Sequence, residues 1–319
     1  MLRRTALTAI AAVFAAACAS PASRWSAELA EGRRAAETGR PGEAERRLRD
    51  ALQASESFPP DDPRRVEALG ALAAFRTAQG DADEAESLYA RAARLVESRV
   101  GVSRPETVEA FKRLADAQTV AGHHEQALES YRKALAAAER AWPKDDPRLE
   151  PRLYDVALTL EALRRGVEAE PLLKRTLRIS ESRKGPPGPG SGPGKDVAER
   201  LRDLAQLYQS LGRLDDAEPL YRRMLAMEEE TLASDPLAQV PFFQSLALFE
   251  EARDRLSDAE GLYRRAVTIL DAQRVTDIRL ENLLANYAHL LRRQGRDAEA
   301  DELDRRAEAV RRARGGDTR

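Results

Sequence analysis

The chain has 319 residues, with 52 Lys and Arg against 54 Asp and Glu, a formal charge of −2. The two signs interleave along its length and no basic stretch stands out, which excludes a nucleic-acid footprint of the usual kind. Hydrophobic residues make up 42% but aromatics only 5%; with Ala, Leu, Arg and Glu dominant, that mix suits helices with thin apolar faces and excludes a large β core.

The first element in chain order is a leader. Arg3 and Arg4 precede the uncharged run Thr5 to Ala17, and Ala15, Ala16 and Ala17 lead directly to Cys18, the single cysteine. A positive start, a short apolar middle and a small-residue cleavage site form a secretory signal, and a lone cysteine makes no internal disulfide. Small residues ending at a cysteine resemble the lipobox of bacterial lipoproteins. The resemblance implies cleavage before Cys18 and acylation of its thiol, so that residues 1–17 are signal peptide and 18–24 a short tether. Ala19, in place of an aspartate, implies the outer membrane facing the periplasm. Three other readings stay open: an ordinary signal-peptidase site releasing a periplasmic or secreted protein, an uncleaved anchor, and an alanine-rich start of a cytoplasmic protein. Loss of residues 1–17 removes two arginines and leaves 50 minus 54, a charge of −4.

A repeat follows. Ala44, Ala85, Ala127, Ala169, Ala217, Ala259 and Ala300 are spaced by 41, 42, 42, 48, 42 and 41 residues, and self-similarity at such a period signals stacked units. Twelve residues before each anchor stands another small residue: Gly32, Ala73, Ala115, Ala157, Ala205, Ala247 and Ala288. Bulky apolar residues precede six of these, and Leu or Tyr follows six of the anchors at the fourth position, as in Leu48, Tyr131 and Tyr263. Offsets of three, four and seven mark one helix face. Five residues before the anchor lie Gly39, Gly80, Gly122, Gly212 and Gly295, placed to end one helix in the left-handed conformation and turn into the next. Each unit therefore reads as a helix hairpin with small residues at its crossing, and hairpins must stack to cover their apolar faces.

This rhythm of small, aromatic and small residues resembles the tetratricopeptide repeat (TPR), and its period of about 42 is most similar to the kinesin light chain variety. The resemblance implies an all-α right-handed solenoid of about seven hairpins over residues 25–314. Linkers such as Asp61-Asp62-Pro63, Arg104-Pro105-Glu106 and Asp145-Asp146-Pro147 place proline where a helix begins. The longer spacing holds the segment 185–194, GPPGPGSGPG, which reads as a non-helical surface loop. Residues 315–319 read as a disordered tail. The end units carry capping departures, Glu31 in the first and Asp304 in the last.

Catalytic and metal-binding motifs are missing from the sequence. There is no Gly-rich phosphate loop, GxSxG or HExxH, and His123, His124 and His289 lack the cysteine or spaced-histidine partners of a zinc site. The expectation is a chain without cofactor or metal that is not an enzyme. Binding suits stacked hairpins better, on the concave face lined by the first helix of each unit. The family geometry implies that positions fifteen and eleven before each anchor face that groove. These are Leu29 and Arg33, Gly70 and Ala74, Lys112 and Asp116, Tyr154 and Leu158, Arg202 and Gln206, Gln244 and Leu248, and Ala285 and His289. The family's clamp for chain-terminal carboxylates needs lysine, asparagine and arginine at matched places, and that set is missing. The expected function is a lipid-anchored scaffold recruiting proteins or peptides of the cell envelope. The alternatives are a permanent subunit of an envelope assembly or secretion complex, and a soluble secreted or cytoplasmic adaptor.

Overall fold

In a computed structural model of the chain, residues 20–182, 193–227 and 236–316 are described. Among them every regular element is a helix. The chain divides into two compact units between Arg165 and Gly166.

The first unit holds α1 (Pro21–Glu37), α2 (Pro41–Ser55), α3 (Pro63–Gln79), α4 (Ala82–Val100), α5 (Pro105–Val120), α6 (His124–Ala141), a 3-10 turn at Pro147–Leu149 and α7 (Glu150–Ala162). The second holds α8 (Gly166–Ser182), α9 (Pro193–Ser210), α10 (Leu214–Met227), α11 (Pro236–Ala252), α12 (Leu256–Ala272), α13 (Ile278–Arg293) and α14 (Asp297–Gly316). Within each unit consecutive helices pack on one another.

The crossings explain the small residues. All thirteen alanines of the repeat signature, from Ala44 to Ala300, have no exposed surface. Gly32 is also buried, and a Cβ there would stand 2.8 Å from the Leu48 side chain and 3.1 Å from the Leu48 backbone nitrogen. Leu48, Tyr221 and Tyr263 fill the space beside their crossings and are almost wholly buried.

Every hairpin turns in the same way. In the first, the Arg40 amide donates to Ala35 O at 2.9 Å and the Gly39 amide to Ala36 O at 3.2 Å, the paired bonds of a Schellman turn. The same pair recurs at residues 80–81, 122–123, 164–165, 212–213, 254–255 and 295–296. The five glycines have φ of 70° to 80°. Two turns carry no glycine, and there Arg164 (φ 60°) and Asp254 (φ 59°) take the left-handed conformation instead.

A second motif fixes the return from one hairpin to the next. Phe58-Pro59-Pro60-Asp61-Asp62-Pro63-Arg64 and Trp142-Pro143-Lys144-Asp145-Asp146-Pro147-Arg148 match at five of seven positions, with an aromatic at the first of each. In each, the second aspartate accepts the backbone amide of the arginine two residues on, at 2.9 Å, and both guanidinium nitrogens Nε and Nη2 of that arginine. The guanidinium carbon lies 3.6 Å from the centroid of the Phe58 ring in the first and 4.7 Å from that of Trp142 in the second. Asp277 and Arg279 repeat the clasp at the start of α13. The arginine hydrogen bonds hold the Asp62 and Asp146 carboxyls down at about 2.

Three boundaries and one groove residue differ from the sequence expectation. Helix α1 starts at Pro21, inside the stretch read as tether, because Ser20 caps it by accepting the Ser23 amide. Helix α9 starts at Pro193, so the last two residues of the loop are helical; proline has no amide to lose in a first turn. Helix α14 runs to Gly316. Leu29, placed on the groove by its register, is 4% exposed and belongs to the core of α1 to α4. The leader with Cys18, and residues 185–192 of the loop, lie outside the described residues.

Candidate functional site

The first unit has an open groove of about 750 Å³ between α3, α4 and α5. Its walls come from Val66, Gly70, Ala71, Ala74, Tyr89, Ala92, Val96 and Ala110. Small side chains at Gly70, Ala71 and Ala74 leave the space empty, since a helix offering leucines at those places would fill it. A second hollow of about 520 Å³, lined by Ala36, Phe75 and Ala78, shares Arg33, Ala71 and Ala74 with the first. The inner face of α1, α3 and α5 is thus one continuous trough.

Charged groups complete the lining. Arg33 Nη2 bonds Glu67 Oε1 at 3.0 Å, and Arg113 Nε bonds Glu109 Oε1 at 2.8 Å. All four side chains are about half exposed, so these pairs contribute little to stability and are free to exchange partners. The Arg113 guanidinium reaches over the space above Gly70. Tyr89 is half-buried, and burial pushes its phenol up from the usual value.

Further along this unit, Lys112 Nζ bonds Asp116 Oδ2 at 2.5 Å, and Tyr131 donates to Asp116 Oδ1 at 2.8 Å. Asp155 on α7 lies within the field of both residues. Burial raises its carboxyl, opposed mainly by Arg152 and Lys112. Tyr154 is half-buried beside it and Leu158 is exposed. The sequence placed Lys112, Asp116, Tyr154 and Leu158 on this face; it read Tyr131 only as a repeat position beside a crossing and did not single out Asp155.

The corresponding residues of the second unit bond to one another. Gln206 Nε2 donates to Ser245 Oγ at 2.8 Å, and Gln209 Nε2 to Leu248 O at 3.3 Å. Arg202 bonds Asp203 and lies 5.7 Å from the centroid of the Phe242 ring. Gln244 is half-buried, while Leu248 is exposed. His289 is exposed, with Nδ1 3.7 Å from Glu251 Oε2.

Successive hairpins are also joined by a ladder of acid–base pairs. Glu45 pairs with Arg76, Glu86 with His123, Glu125 with Arg165, Glu170 with Arg213, Glu218 with Arg253 and Glu260 with Arg296. His123 is therefore a rung, not the merely solvated residue its turn position suggested. Arg213, Lys174 and Tyr208 hold the Glu170 carboxyl down at about 2, with the Lys174 bond the largest cause. In four of the six rungs, at His123, Arg165, Arg213 and Arg296, the base directly follows the left-handed residue, a signal visible only when the repeats are aligned; Arg76 and Arg253 precede it. Among the described residues no three His, Cys, Asp or Glu side chains are grouped to hold a metal ion, and no helix is long and apolar enough to cross a membrane.

Family models of the tetratricopeptide repeat match residues 64–140 and 197–236. No curated protein matches the chain in sequence. Among solved structures, the kinesin light chain TPR-like repeats of Podosopora anserina superpose with a TM-score of 0.54 at 20% identity, covering 67% of this chain and 99% of that one. BtubC from P. vanneervenii gives 0.57 at 23% identity, covering 79% and 92%. A tetratricopeptide repeat protein of Parabacteroides merdae gives 0.60 at 16% identity, covering 90% and 93%. At these identities the likeness is one of fold, and the repeat itself is matched in residues 64–140 and 197–236. The chain thus carries tetratricopeptide repeats in both units, on the fold of the TPR solenoids it resembles.

Proposed function

We propose that this protein is a non-catalytic scaffold of the bacterial cell envelope, lipid-anchored through Cys18, that captures proteins or peptides in the trough of its first unit. The observation that carries the binding reading is the trough itself. It is concave, mostly apolar and floored by small residues, and it is flanked by the exposed Arg33–Glu67 and Arg113–Glu109 pairs. Sites of roughly 300–1,000 Å³ with a few polar groups are typical of ligand recognition. The anchoring reading rests on the Arg3–Cys18 signal and takes the outer membrane, facing the periplasm, as its compartment.

Two experiments test the two halves separately. For the anchor, the protein expressed in a bacterium is fractionated and weighed intact beside Cys18→Ser. A mature chain beginning at Cys18 with added acyl mass, lost in the variant, is the expected result; a soluble chain beginning near Ser20, or one retaining Met1, overturns it. For the trough, Gly70→Leu and Ala74→Leu fill the space without entering the core, since a Cβ at Gly70 meets only Arg113 Nη1 at 3.8 Å. Partners cross-linked to the wild-type protein in its native membrane should be lost from both variants while the melting temperature holds. Unchanged capture would move the binding surface elsewhere.

A further inference from the structure

We infer that the edge of the first unit formed by its inter-repeat linkers rests on a zwitterionic phospholipid surface, so that the trough stands at a fixed height and orientation above the membrane. The inference depends on the Cys18 acylation proposed above, and three observations support it.

The first is the length of the tether. Helix α1 begins at Pro21, capped by Ser20, so only two residues separate Cys18 from the helix. An extended chain spans at most about 3.6 Å per residue, which puts Cys18 within about 11 Å of Pro21. Helix α1 has 17 residues and is about 25 Å long, so an acyl chain on Cys18 keeps the start of α1 at the lipid surface and its far end well away from it.

The second is sidedness. Consecutive helices of the unit pack and reverse direction, which gathers the start of α1 and all the linkers between hairpins on one edge. The hairpin turns, Gly39, Gly80 and Gly122 among them, gather on the other. The linker edge carries both tryptophans of the chain. Trp25 packs edge-on against Phe58 of the first linker at 6.3 Å, and Trp142 ends α6. Pro59, Pro60 and the exposed Val102 lie on the same edge. The hairpin turns of this unit carry no aromatic residue. Rings with an apolar body and a polar tip favour the headgroup layer, and tryptophan most of all; Trp142 offers such a tip, while the Trp25 Nε1 is buried and its ring adds apolar surface beside Phe58.

The third is charge. The edge carries both signs side by side, with Arg24, Arg65, Arg99 and Arg104 beside Glu56, Asp61 and Glu106. Alternating signs match the paired charges of zwitterionic headgroups and gain little from a strongly anionic layer. A lipid chain on its own gives marginal attachment, and stable attachment takes a second signal; here the aromatic linker edge supplies it.

The test uses the full-length protein purified in its acylated form and placed on phosphatidylethanolamine–phosphatidylcholine vesicles that contain a lipid with a nitroxide on its headgroup. The wild-type protein is expected to lose most of its tryptophan emission relative to vesicles without the nitroxide, because both reporters lie on the membrane-facing edge. A second protein, with Trp25→Phe, Trp142→Phe and His123→Trp, moves the reporter to the opposite edge and is expected to keep its emission. Acylated, vesicle-bound wild-type protein with unquenched emission overturns the inference and leaves the anchor standing, as does equal quenching of both proteins. A wild-type protein without acyl mass that stays off the vesicles overturns the anchor, and the inference with it. Should the triple variant fail to fold, the wild-type measurement decides alone.

Discussion

The two units use one repeat signature to carry different inner faces. In the first, positions on the inner helices are Gly70, Ala71 and Ala74, and a trough opens above them. In the second, the same register carries Arg202, Gln206, Gln244 and Leu248, and Gln206 and Gln209 reach across to the next inner helix. The crossings beneath are alike, since Ala73 and Ala115 in one unit and Ala205 and Ala247 in the other have no exposed surface. Stacking and recognition are therefore separable. Buried small residues hold hairpins together, and the residues one position further along set the character of the surface, alanine at Ala74 and an amide at Gln206.

Substitutions at neighbouring positions should break that comparison most sharply. Ala205→Leu or Ala247→Leu overpacks a crossing and is expected to cost about 1–3 kcal/mol, read as a clear fall in melting temperature. Ala73→Leu in the first unit should behave the same way, whereas Ala74→Leu one residue later should not. Equal melting temperatures across this set would show that the crossings are looser than their burial implies.

Smaller effects sharpen the comparison from the turns. Arg164 in the first unit and Asp254 in the second occupy a conformation that costs a side-chain-bearing residue about 1–2 kcal/mol, although glycine also gains entropy in the unfolded chain. Arg164→Gly is expected to stabilise by roughly 0.5–1 kcal/mol in thermal unfolding. Asp254→Gly gains less, because it also loses the 3.0 Å bond to Arg293. Destabilisation by Arg164→Gly would mean that the arginine makes up its backbone cost through other contacts.

The smallest effect is in the acid limb. The folded carboxyls of Asp62 and Asp146 are held at about 2, below the ordinary aspartate value of about 3.9. Their clasps therefore add stability that is complete above the ordinary value and is lost as pH falls through that window toward about 2. Asp62→Asn and Asp146→Asn should flatten the fall in melting temperature over this range. Both groups lie in the first unit, and an unchanged acid limb would assign the acid response to carboxyls such as Glu170 in the second.

The sequence disclosed the hairpins because their defining positions are small residues at constant spacing, and a crossing helix admits little else. A register shared by all repeats also marks Lys112 to Leu158 in the first unit and Arg202 to His289 in the second as inward-facing, and these stand as the expected groove residues of each. Leu29 shares that register yet is buried among the core residues of α1 to α4. Arg164 and Asp254 were hidden for a different reason. Their turns are specified by the backbone bonds on either side, so the residue at the left-handed position carries no signal of its own. The linker clasp was partly visible in its proline and aspartates. Its arginine acts by stacking on an aromatic six residues earlier, a contact that no helical period encodes.

The turns carry one more consequence. All seven close with the same pair of backbone bonds, whether the left-handed residue is glycine, arginine or aspartate, and the rungs between hairpins recur in both units. Each period is consequently a self-contained clause that begins and ends on the same punctuation. Gene duplication or loss of one whole period would join chemically equivalent ends, so the reach of the scaffold can lengthen or shorten through recombination without a new junction having to be invented.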